Sequence, residues 1–340
     1  MVSFGDSLSD VGTYKVGTVA ALGGGKYIVN GIGGAIGAEP TPSNNWTELI
    51  AAQAGLPAPC PAQTGLDGDA AQGFKVPVVN HTGCYGYAQG GARVTNPVGP
   101  GNKLLGGSNA ILGQLTVPVV TQIANHLSAK GGSFSGTELV SVMAGGNDVF
   151  INLATISPTV SALVASGMSV ADATNQASTA AVTAMGTAGA ELANYTKTQI
   201  LGKGARYVVV VNLPDVSKTP FAYAQDAATQ GLINTMVVTF NTQLQAGLAN
   251  ANVLIVDAYA DHRSQAASPA SYGLTNVTVP ACNLSAPTNP LGSSLTCNGN
   301  NVIAGDVSHY GFADGVHPTP YGYKLLAQLV TRRMAQVGWF

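Results

Sequence analysis

Charged and aromatic residues are scarce in this chain of 340 residues, at 9% and 6% of the composition. Soluble globular domains carry about 25% charged residues. With 14 Lys and Arg against 16 Asp and Glu, the net charge is −2, which excludes the basic surface that binds nucleic acid or an anionic membrane. Disorder is excluded too, because 46% of the residues are hydrophobic and the net charge is too small to keep a chain expanded.

Long hydrophobic runs are also missing. No uninterrupted apolar run reaches the roughly 18 residues that a membrane-spanning helix needs, since Gly, Ser, Thr and Asn interrupt each candidate. We therefore expect a soluble protein whose surface relies on uncharged polar residues, a composition common in exported bacterial proteins. Met1 lies directly before Val2-Ser3-Phe4, which reads as the end of a strand, so we expect a leader and a few further residues upstream.

The chain has only four cysteines, and they form two local couples. Cys60 with Cys84 and Cys282 with Cys297 each lie in a stretch rich in Gly, Pro or Asn, and neither couple has the CxxC spacing of a zinc site or a redox centre. Four cysteines allow three pairings, of which we favour the local one. Because disulfides persist outside the cytosol, we expect a secreted, periplasmic or cell-surface protein.

Short β-branched runs alternate with Ala-rich amphipathic segments, the pattern of a parallel sheet covered by helices on both faces. The first strand is predicted to end at Phe4, and further strands to cover 76–79, 138–144, 206–213 and 252–256. Helices are predicted over 43–54 with Ser43 and Asn44 as caps, 114–130, most of 158–201 with a break near Gly167, 226–249 and 320–337.

Two long stretches, about 56–113 and 262–312, do not follow this alternation, and each holds one cysteine couple. Loops of this length in a compact domain are usually functional or disordered, and the cysteines favour order. We interpret both stretches as insertions around a site. No shift in composition marks a second domain, so residues 1–340 are predicted to form a single domain, which we expect to be a monomer.

Ser7 follows the first predicted strand, in the segment Phe4-Gly5-Asp6-Ser7-Leu8. Ligands of an open parallel sheet bind beyond the carboxyl ends of its strands. At a helix N-terminus the Ser7 hydroxyl would lie near backbone N–H groups that can stabilise a developing oxyanion. A serine that only caps a helix explains the same segment equally well.

An aspartate and a histidine three residues apart favour the catalytic interpretation. In the segment DGVHP, the Asp314 carboxylate can orient the imidazole of His317 towards a nucleophile from elsewhere. Histidine suits a general base near neutral pH. Asp306 and His309 have the same spacing, but we favour the downstream pair because Pro318 and the helix after it fix its geometry.

Two glycine-rich segments offer hydrogen-bond donors. The segment AQGGA, residues 88–92, contains a backbone N–H that a substrate can approach closely, because glycine has no side chain in the way. The segment GGND, residues 145–148, follows a strand, and the side-chain amide of Asn147 can donate two hydrogen bonds. Taken alone, each segment also has the composition of an ordinary turn.

In this order the four segments resemble the SGNH or GDSL family of serine esterases and lipases, over nearly the whole chain. VSFGDSLSD resembles the first block, YAQGGARV the second, GGNDVF the third and DGVHPT the last. The resemblance implies a nucleophile, Ser7, with Asp314 and His317 as its triad partners. It also implies an oxyanion hole made by three donors, the backbone N–H groups of Ser7 and Gly91 and the side chain of Asn147.

The family fold is a flavodoxin-like, three-layer α/β/α sandwich with a parallel sheet of about five strands, which agrees with the alternation above. One departure concerns the second block, which often has an Asn where this chain has Gly86. The hydrogen bond of that Asn must come from elsewhere or be absent. The chain has no GxSxG motif, which argues against an α/β-hydrolase elbow, and no Walker or GxGxxG motif that would cradle a nucleotide.

The resemblance therefore implies a secreted carboxylic-ester hydrolase that forms an acyl-enzyme on a small-molecule or lipid ester. Such a relay needs no metal and no cofactor. One alternative is a phospholipase or lipid acyltransferase that uses the same site in transient contact with a lipid surface. A non-enzymatic surface binding module is disfavoured, because every catalytic residue type is present.

Overall fold

A computed structural model describes residues 1–31 and 43–339. The strands in these ranges are β1 (Val2–Gly5), β2 (Gln63–Asp67), β3 (Lys75–Asn80), β4 (Leu139–Met143), β5 (Tyr207–Val211) and β6 (Leu254–Val256). The α-helices are α1 (Gly17–Ala21), α2 (Trp46–Gln53), α3 (Gly107–Leu112), α4 (Val119–Ala129), α5 (Gly146–Ala165), α6 (Val170–Tyr195), α7 (Pro220–Tyr223), α8 (Ala227–Gly247), α9 (Ala258–Ala267) and α10 (Pro320–Gln336).

The main sheet is parallel, with the strand order β1-β4-β5-β6. Its strands are short, apolar and rich in valine, and all five residues of β4 are buried. Continuous apolar strands of this kind form where both faces of a sheet are covered. The carboxyl ends of all four strands therefore meet at one edge, and two of the predicted site segments begin there, after β1 and after β4.

Helices cover the two faces of the sheet and complete a three-layer α/β/α sandwich. On one face Trp46 of α2 and Tyr323 of α10 pack in a core with Met143. On the other face α4, α5, α6 and α8 form the larger core, where Phe240 lies in the same cluster as Phe4. The predicted fold class is confirmed.

A short backbone segment extends the sheet beyond β1. The Ser3 N–H donates to the Tyr85 carbonyl at 3.1 Å, and the Tyr87 N–H donates to the Ser3 carbonyl at 2.8 Å. This single parallel bridge places Gly86 beside Ser3, so the described part of the sheet has four strands and a one-residue edge where about five strands were predicted. A Cβ atom at Gly86 would lie 2.8 Å from the Cys60 carbonyl oxygen, so this position has no room for an asparagine.

Several predicted elements differ from the structure. The predicted strand 76–79 lies within β3, which pairs with β2 in a separate antiparallel hairpin rather than in the main sheet. The predicted helix 114–130 begins only at Val119, after Pro118. The predicted caps Ser43 and Asn44 are wrong, because the Asn45 side chain accepts hydrogen bonds from the first turn of α2.

Helix α5 begins well before the predicted 158 and continues through Pro158. A proline inside a helix leaves the carbonyl four residues earlier without its partner. Both Pro158 and Ala154 are exposed, so water can satisfy that carbonyl. The predicted break near Gly167 is confirmed between α5 and α6.

Helix α5 also bears on the expectation that no segment could cross a membrane. Among the described residues it is the one helix long and apolar enough to do so, with a mean hydropathy of 1.4 over an 18-residue window. This rests on length and composition only, and one such helix is weak evidence. The first turn of α5 carries Asn147 and Asp148, which belong to the site described below.

The two predicted insertions are ordered in the structure and contain both disulfides. The first includes the β2–β3 hairpin and α3, whereas the second begins within α9 and continues mainly as turns. Cys60 is bonded to Cys84 and Cys282 to Cys297, with Cα–Cα distances of 5.0 and 6.0 Å. The predicted pairing of all four cysteines is confirmed.

Candidate active site

Ser7, His317 and Asp314 form one hydrogen-bonded chain. The Nε2 atom of His317 lies 2.8 Å from Ser7 Oγ, and its Nδ1 atom lies 2.8 Å from Asp314 Oδ2. The three residues come from opposite ends of the sequence, and the sheet brings them together. Ser7 follows β1, while Asp314 and His317 lie in the turn before α10.

The strand before Ser7 can end as it does only because residue 5 is a glycine. Gly5 has a φ of 155°, and a Cβ atom there would lie 2.1 Å from the Met143 carbonyl oxygen. Its N–H donates to Gln122 Oε1 at 2.9 Å. Ser7 is thereby fixed at the junction of β1 and β4, the two strands whose ends carry the first and third predicted blocks.

The Asp314 carboxylate is buried and held in its ionised form. Burial alone would raise its pKa, but the charge of His317 and several hydrogen bonds hold that pKa well below its usual range. One of these bonds comes from the second insertion, where the Ser294 N–H donates to Asp314 Oδ2 at 2.9 Å. Ser294 lies inside the loop that the Cys282–Cys297 bond closes, so this disulfide loop contributes directly to the site.

The three predicted oxyanion donors face the same region. The Asn147 side chain, in the first turn of α5, donates to the Ala92 carbonyl at 2.8 Å, which fixes its orientation and leaves its second N–H hydrogen for another acceptor. Within residues 1–31 and 43–339, no hydrogen bond is donated by the backbone N–H of Ser7 or of Gly91. All three residues line one cavity with His317.

Two buried side chains that sequence reasoning missed hold the Gly90-Gly91 turn in place. The Oδ2 atom of Asp10 accepts the Gly90 N–H at 2.9 Å, and its Oδ1 atom accepts the N–H of Thr13 at 2.8 Å. The Tyr14 hydroxyl donates to the Gly90 carbonyl at 2.8 Å. Asp10 is the last residue of the first block, VSFGDSLSD, and that motif is the signal that could have found it.

The second and third blocks are joined by an ion pair. Arg93 Nε lies 2.8 Å from Asp148 Oδ1, and Asp148 Oδ2 accepts the Val94 N–H at 3.1 Å. Burial raises the pKa of Asp148, and the charge of Arg93 opposes that shift. The pair fixes the start of α5, and with it Asn147, against the segment that contains Gly91.

A second carboxyl group lies beside the serine and was not singled out from the sequence. Asp6 is buried, accepts the Leu8 N–H at 3.0 Å and lines the cavity. Burial raises its pKa to about 7, although the nearby His317 opposes the shift. Asp6 therefore titrates in the pH range in which an unperturbed histidine titrates.

The alternative aspartate and histidine pair does not meet Ser7. His309 Nδ1 lies 2.7 Å from the Gly273 carbonyl oxygen, and the ring stacks on Tyr321. Asp306 bonds to the backbone and side chain of Ser308. The structure thus brings the favoured pair, and not the upstream one, to the serine.

The site opens into a cavity of about 780 Å³. Apolar side chains from both insertions line it, together with side chains after β5 and in α7. Examples are Phe74, Ile111, Leu291, Leu213 and Phe221. The prediction that the insertions surround a site agrees with this lining.

Among the described residues, no group of three or more His, Cys, Asp or Glu is arranged to hold a metal ion. The buried carboxylates Asp6, Asp10 and Asp148 accept hydrogen bonds from backbone N–H groups or from Arg93.

Comparison with known proteins agrees with the geometry. The profile of the family described as GDSL-like Lipase/Acylhydrolase matches residues 1–330. The chain belongs to this family. The resemblance of the four segments to GDSL enzymes is thereby confirmed, and the GDSL match covers the sheet, both insertions and every predicted site residue.

Individual GDSL relatives match shorter stretches. Esterase EstA of Pseudomonas aeruginosa is 33% identical over 133 residues, which are 36% of this chain and 19% of that protein. Esterase EstA of Pseudomonas putida gives the same values. The anther-specific proline-rich protein APG of Arabidopsis thaliana is 27% identical over 149 residues, which are 41% of this chain and 27% of that protein. The matched stretches thus span well under a third of these relatives.

Proposed function

We propose that this protein is a carboxylic-ester hydrolase that uses Ser7 as nucleophile, His317 as general base and Asp314 as the group that orients the base. One observation carries the proposal: His317 bonds through one nitrogen to a serine hydroxyl and through the other to a buried carboxylate. That arrangement is the one by which a serine becomes a nucleophile at neutral pH.

The proposed reaction has two steps. In the first, Ser7 Oγ attacks the ester carbonyl while His317 Nε2 takes the hydroxyl proton and passes it to the departing alcohol. In the second, water attacks the acyl-enzyme while His317 takes its proton, and His317 then returns that proton to Ser7 Oγ as the acid leaves. Asp314 remains ionised throughout, and its hydrogen bond to Nδ1 holds the imidazole and stabilises the imidazolium.

The same proposal assigns the developing oxyanion to the N–H groups of Ser7 and Gly91 and to the side chain of Asn147. Its support is that these donors have unused hydrogens and lie on rigid supports, the end of β1, the turn held by Asp10 and the first turn of α5. Donors that are already in place cost no reorganisation when charge develops.

The substrate that fits best is an ester with apolar groups. The cavity lies within the range of roughly 300 to 1,000 Å³ that is usual for small-molecule sites, and most of its lining is apolar. Two of the relatives above are named esterases. A lipid ester is the more specific form of this proposal.

The lipid-ester proposal includes contact with a lipid surface and transfer of the acyl group to an alcohol instead of water. The contact with lipid is favoured by an exposed apolar edge beside the cavity: Leu104 is 74% exposed, and Leu105 and Ile111 are also exposed. We propose in addition that the protein is exported, supported by the two disulfides. One parallel sheet with a core on each face supports a single domain, and the monomeric state stays a prediction.

The test is a panel of esters that differ in acyl length and in leaving alcohol, assayed with the wild type and with Ser7→Ala. We expect turnover that depends on acyl length and disappears in the variant. Product analysis with glycerol or a sterol present separates hydrolysis from acyl transfer. If the Ser7→Ala variant turned over esters at the wild-type rate, the proposal would be contradicted.

A further inference from the structure

Tyr27 lies against the proposed general base, where ring packing and a backbone hydrogen bond hold it. The side chain is 5% exposed, and its ring meets the Tyr14 ring edge to face at 6.4 Å. Its backbone carbonyl accepts the hydroxyl of Tyr323, in α10, at 3.1 Å. The ring is therefore held by a backbone anchor and by packing.

The ring of Tyr27 covers one face of the His317 imidazole. The two ring centroids are 4.7 Å apart, and the planes are inclined by 35°. The face of an aromatic ring carries negative charge density and attracts a cation placed over it. The imidazole becomes such a cation when it takes the Ser7 proton, so the contact strengthens in the step in which charge develops.

The hydroxyl of Tyr27 is buried, and its polar neighbour is the side chain of Gln114. A Cβ atom added at Gly90 would lie 2.1 Å from this hydroxyl oxygen. The ring thus lies between His317 and the Gly90-Gly91 turn, which contains the Gly91 N–H.

We propose that Tyr27 is a positioning residue of the relay, whose ring holds the His317 imidazole between Ser7 and Asp314 and stabilises the imidazolium form. The inference rests on the proposed function. It assigns Tyr27 no contact with the reacting atoms, because its effect passes through His317.

Among the described residues, the ionisable side chains of Asp314, Asp6 and Tyr27 act on or contact His317. Asp6 complicates a pH profile, since burial raises its pKa to about 7. The profiles are therefore also measured in an Asp6→Asn background, in which the side-chain oxygen can still accept the Leu8 N–H. A shift that persists there belongs to His317.

The experiment compares Tyr27→Leu and Tyr27→Met, which lack a ring, with Tyr27→Phe, which keeps it. We expect each ring-free variant to lower kcat by roughly 3- to 30-fold with little change in KM. We also expect the acidic limb of the kcat/KM profile to move down by roughly half a pH unit or more, because loss of the ring destabilises the protonated imidazole. Tyr27→Phe should keep most of the activity and the wild-type profile.

Tyr87→Leu is the matched control for loss of a stacked tyrosine ring, since Tyr87 stacks on Phe4 at 5.6 Å rather than on His317. It should leave the pH profile unchanged. Titration with an active-site phosphonate expresses every rate per competent site, so partial misfolding does not affect the comparison.

Ring-free variants with an unchanged pH profile, or a Tyr27→Phe variant as impaired as Tyr27→Leu, would overturn the assignment. The proposed function fails by a different result, which is phosphonate labelling that survives Ser7→Ala. The two failures are therefore distinguishable.

Discussion

His317 and His126 both lie against aromatic rings, but they differ in their hydrogen-bond partners. His317 bonds through both nitrogens, to Ser7 and to Asp314, and has one face on Tyr27. His126 is fully buried near four rings, and neither of its nitrogens has a partner within the described residues. These rings belong to Phe4, Tyr85, Tyr87 and Phe134.

The difference shows that aromatic surroundings do not by themselves make a histidine a base. Burial lowers the pKa of His126 to about 4, so this imidazole is neutral at physiological pH and contributes to the core as an apolar ring. At His317 an ionised carboxylate and a serine hydroxyl fix the ring and provide a route for a proton. Changes at His126 should therefore affect the stability of the fold, whereas changes at His317 should affect turnover.

The largest effect is expected at the relay. Replacing Ser7 or His317 by Ala should lower kcat by roughly 10⁴-fold or more, because the nucleophile and its base act as a unit. His309→Ala should cost far less, since His309 bonds to Gly273 instead of the serine. Steady-state kinetics on an activated ester checks both expectations, and inactivation by His309→Ala but not by His317→Ala would reverse the assignment.

The next largest effect is expected at the oxyanion hole. Asn147→Ala should lower kcat by roughly 10²- to 10³-fold with little change in KM, because this donor matters most when charge has developed on the substrate oxygen. Asn147 also bonds to the Ala92 carbonyl, so circular dichroism and a melting curve accompany the kinetics. Equal losses in kcat and in substrate affinity would indicate a displaced loop instead.

His126 should act on stability. Its folded-state pKa of about 4 lies below the ordinary histidine value of about 6.5. Between these two pH values His126 is therefore protonated in the unfolded chain but mostly neutral in the folded chain. The free energy of unfolding should therefore fall by about 3 kcal/mol as the pH drops from 6.5 to 4, and no further from this group below that.

His126→Phe removes the titrating group and keeps an aromatic ring among the four neighbouring rings. Chemical denaturation at several pH values should give a shallower loss of stability for this variant than for the wild type. His262, whose pKa burial also lowers to about 4, contributes a similar slope in both proteins. Identical slopes with and without His126 would show that it does not titrate as described.

The smallest effect separates the two insertions. Opening the Cys282–Cys297 loop by a double change to Ser should lower kcat by about 10-fold, because Ser294 then holds Asp314 less firmly and a hydrogen bond to a charged group is worth about 1.5 kcal/mol or more. The matched control replaces Cys60 and Cys84 by Ser, since that bond is not linked to Asp314. The assays are run at a temperature at which the far-UV circular dichroism of both variants is unchanged. Equal losses of kcat in the two variants would contradict a specific role for the second loop.

The family and the segments of the candidate site could be predicted from the sequence because each block is short and contiguous. Each motif, around Ser7, Gly91, Asn147 or His317, lies within a few consecutive residues. The four motifs also follow one another in the order found in the family that they resemble. The alternation of valine-rich and alanine-rich segments likewise predicts the layers of the sandwich. Both kinds of signal are local in the chain.

What the sequence could not predict depends on contacts between distant residues. Tyr27 meets His317, and Ser294 meets Asp314, only in the folded structure, and nothing near either residue in the sequence marks that contact. Gly86 is explained by the Cys60 carbonyl, which approaches it from another segment. Asn45 caps α2 in place of the predicted residues because its side chain also reaches back to the Asp10 carbonyl.

The central claim is that Ser7 forms an acyl-enzyme in a relay with His317 and Asp314. The most direct test mixes the protein rapidly with an activated aryl ester, follows release of the phenol and analyses the quenched protein by peptide mass spectrometry. The account predicts a phenol burst stoichiometric with active sites and an acyl group on the peptide that contains Ser7. A burst that persists in Ser7→Ala, or an acyl group attached to another residue, would contradict it.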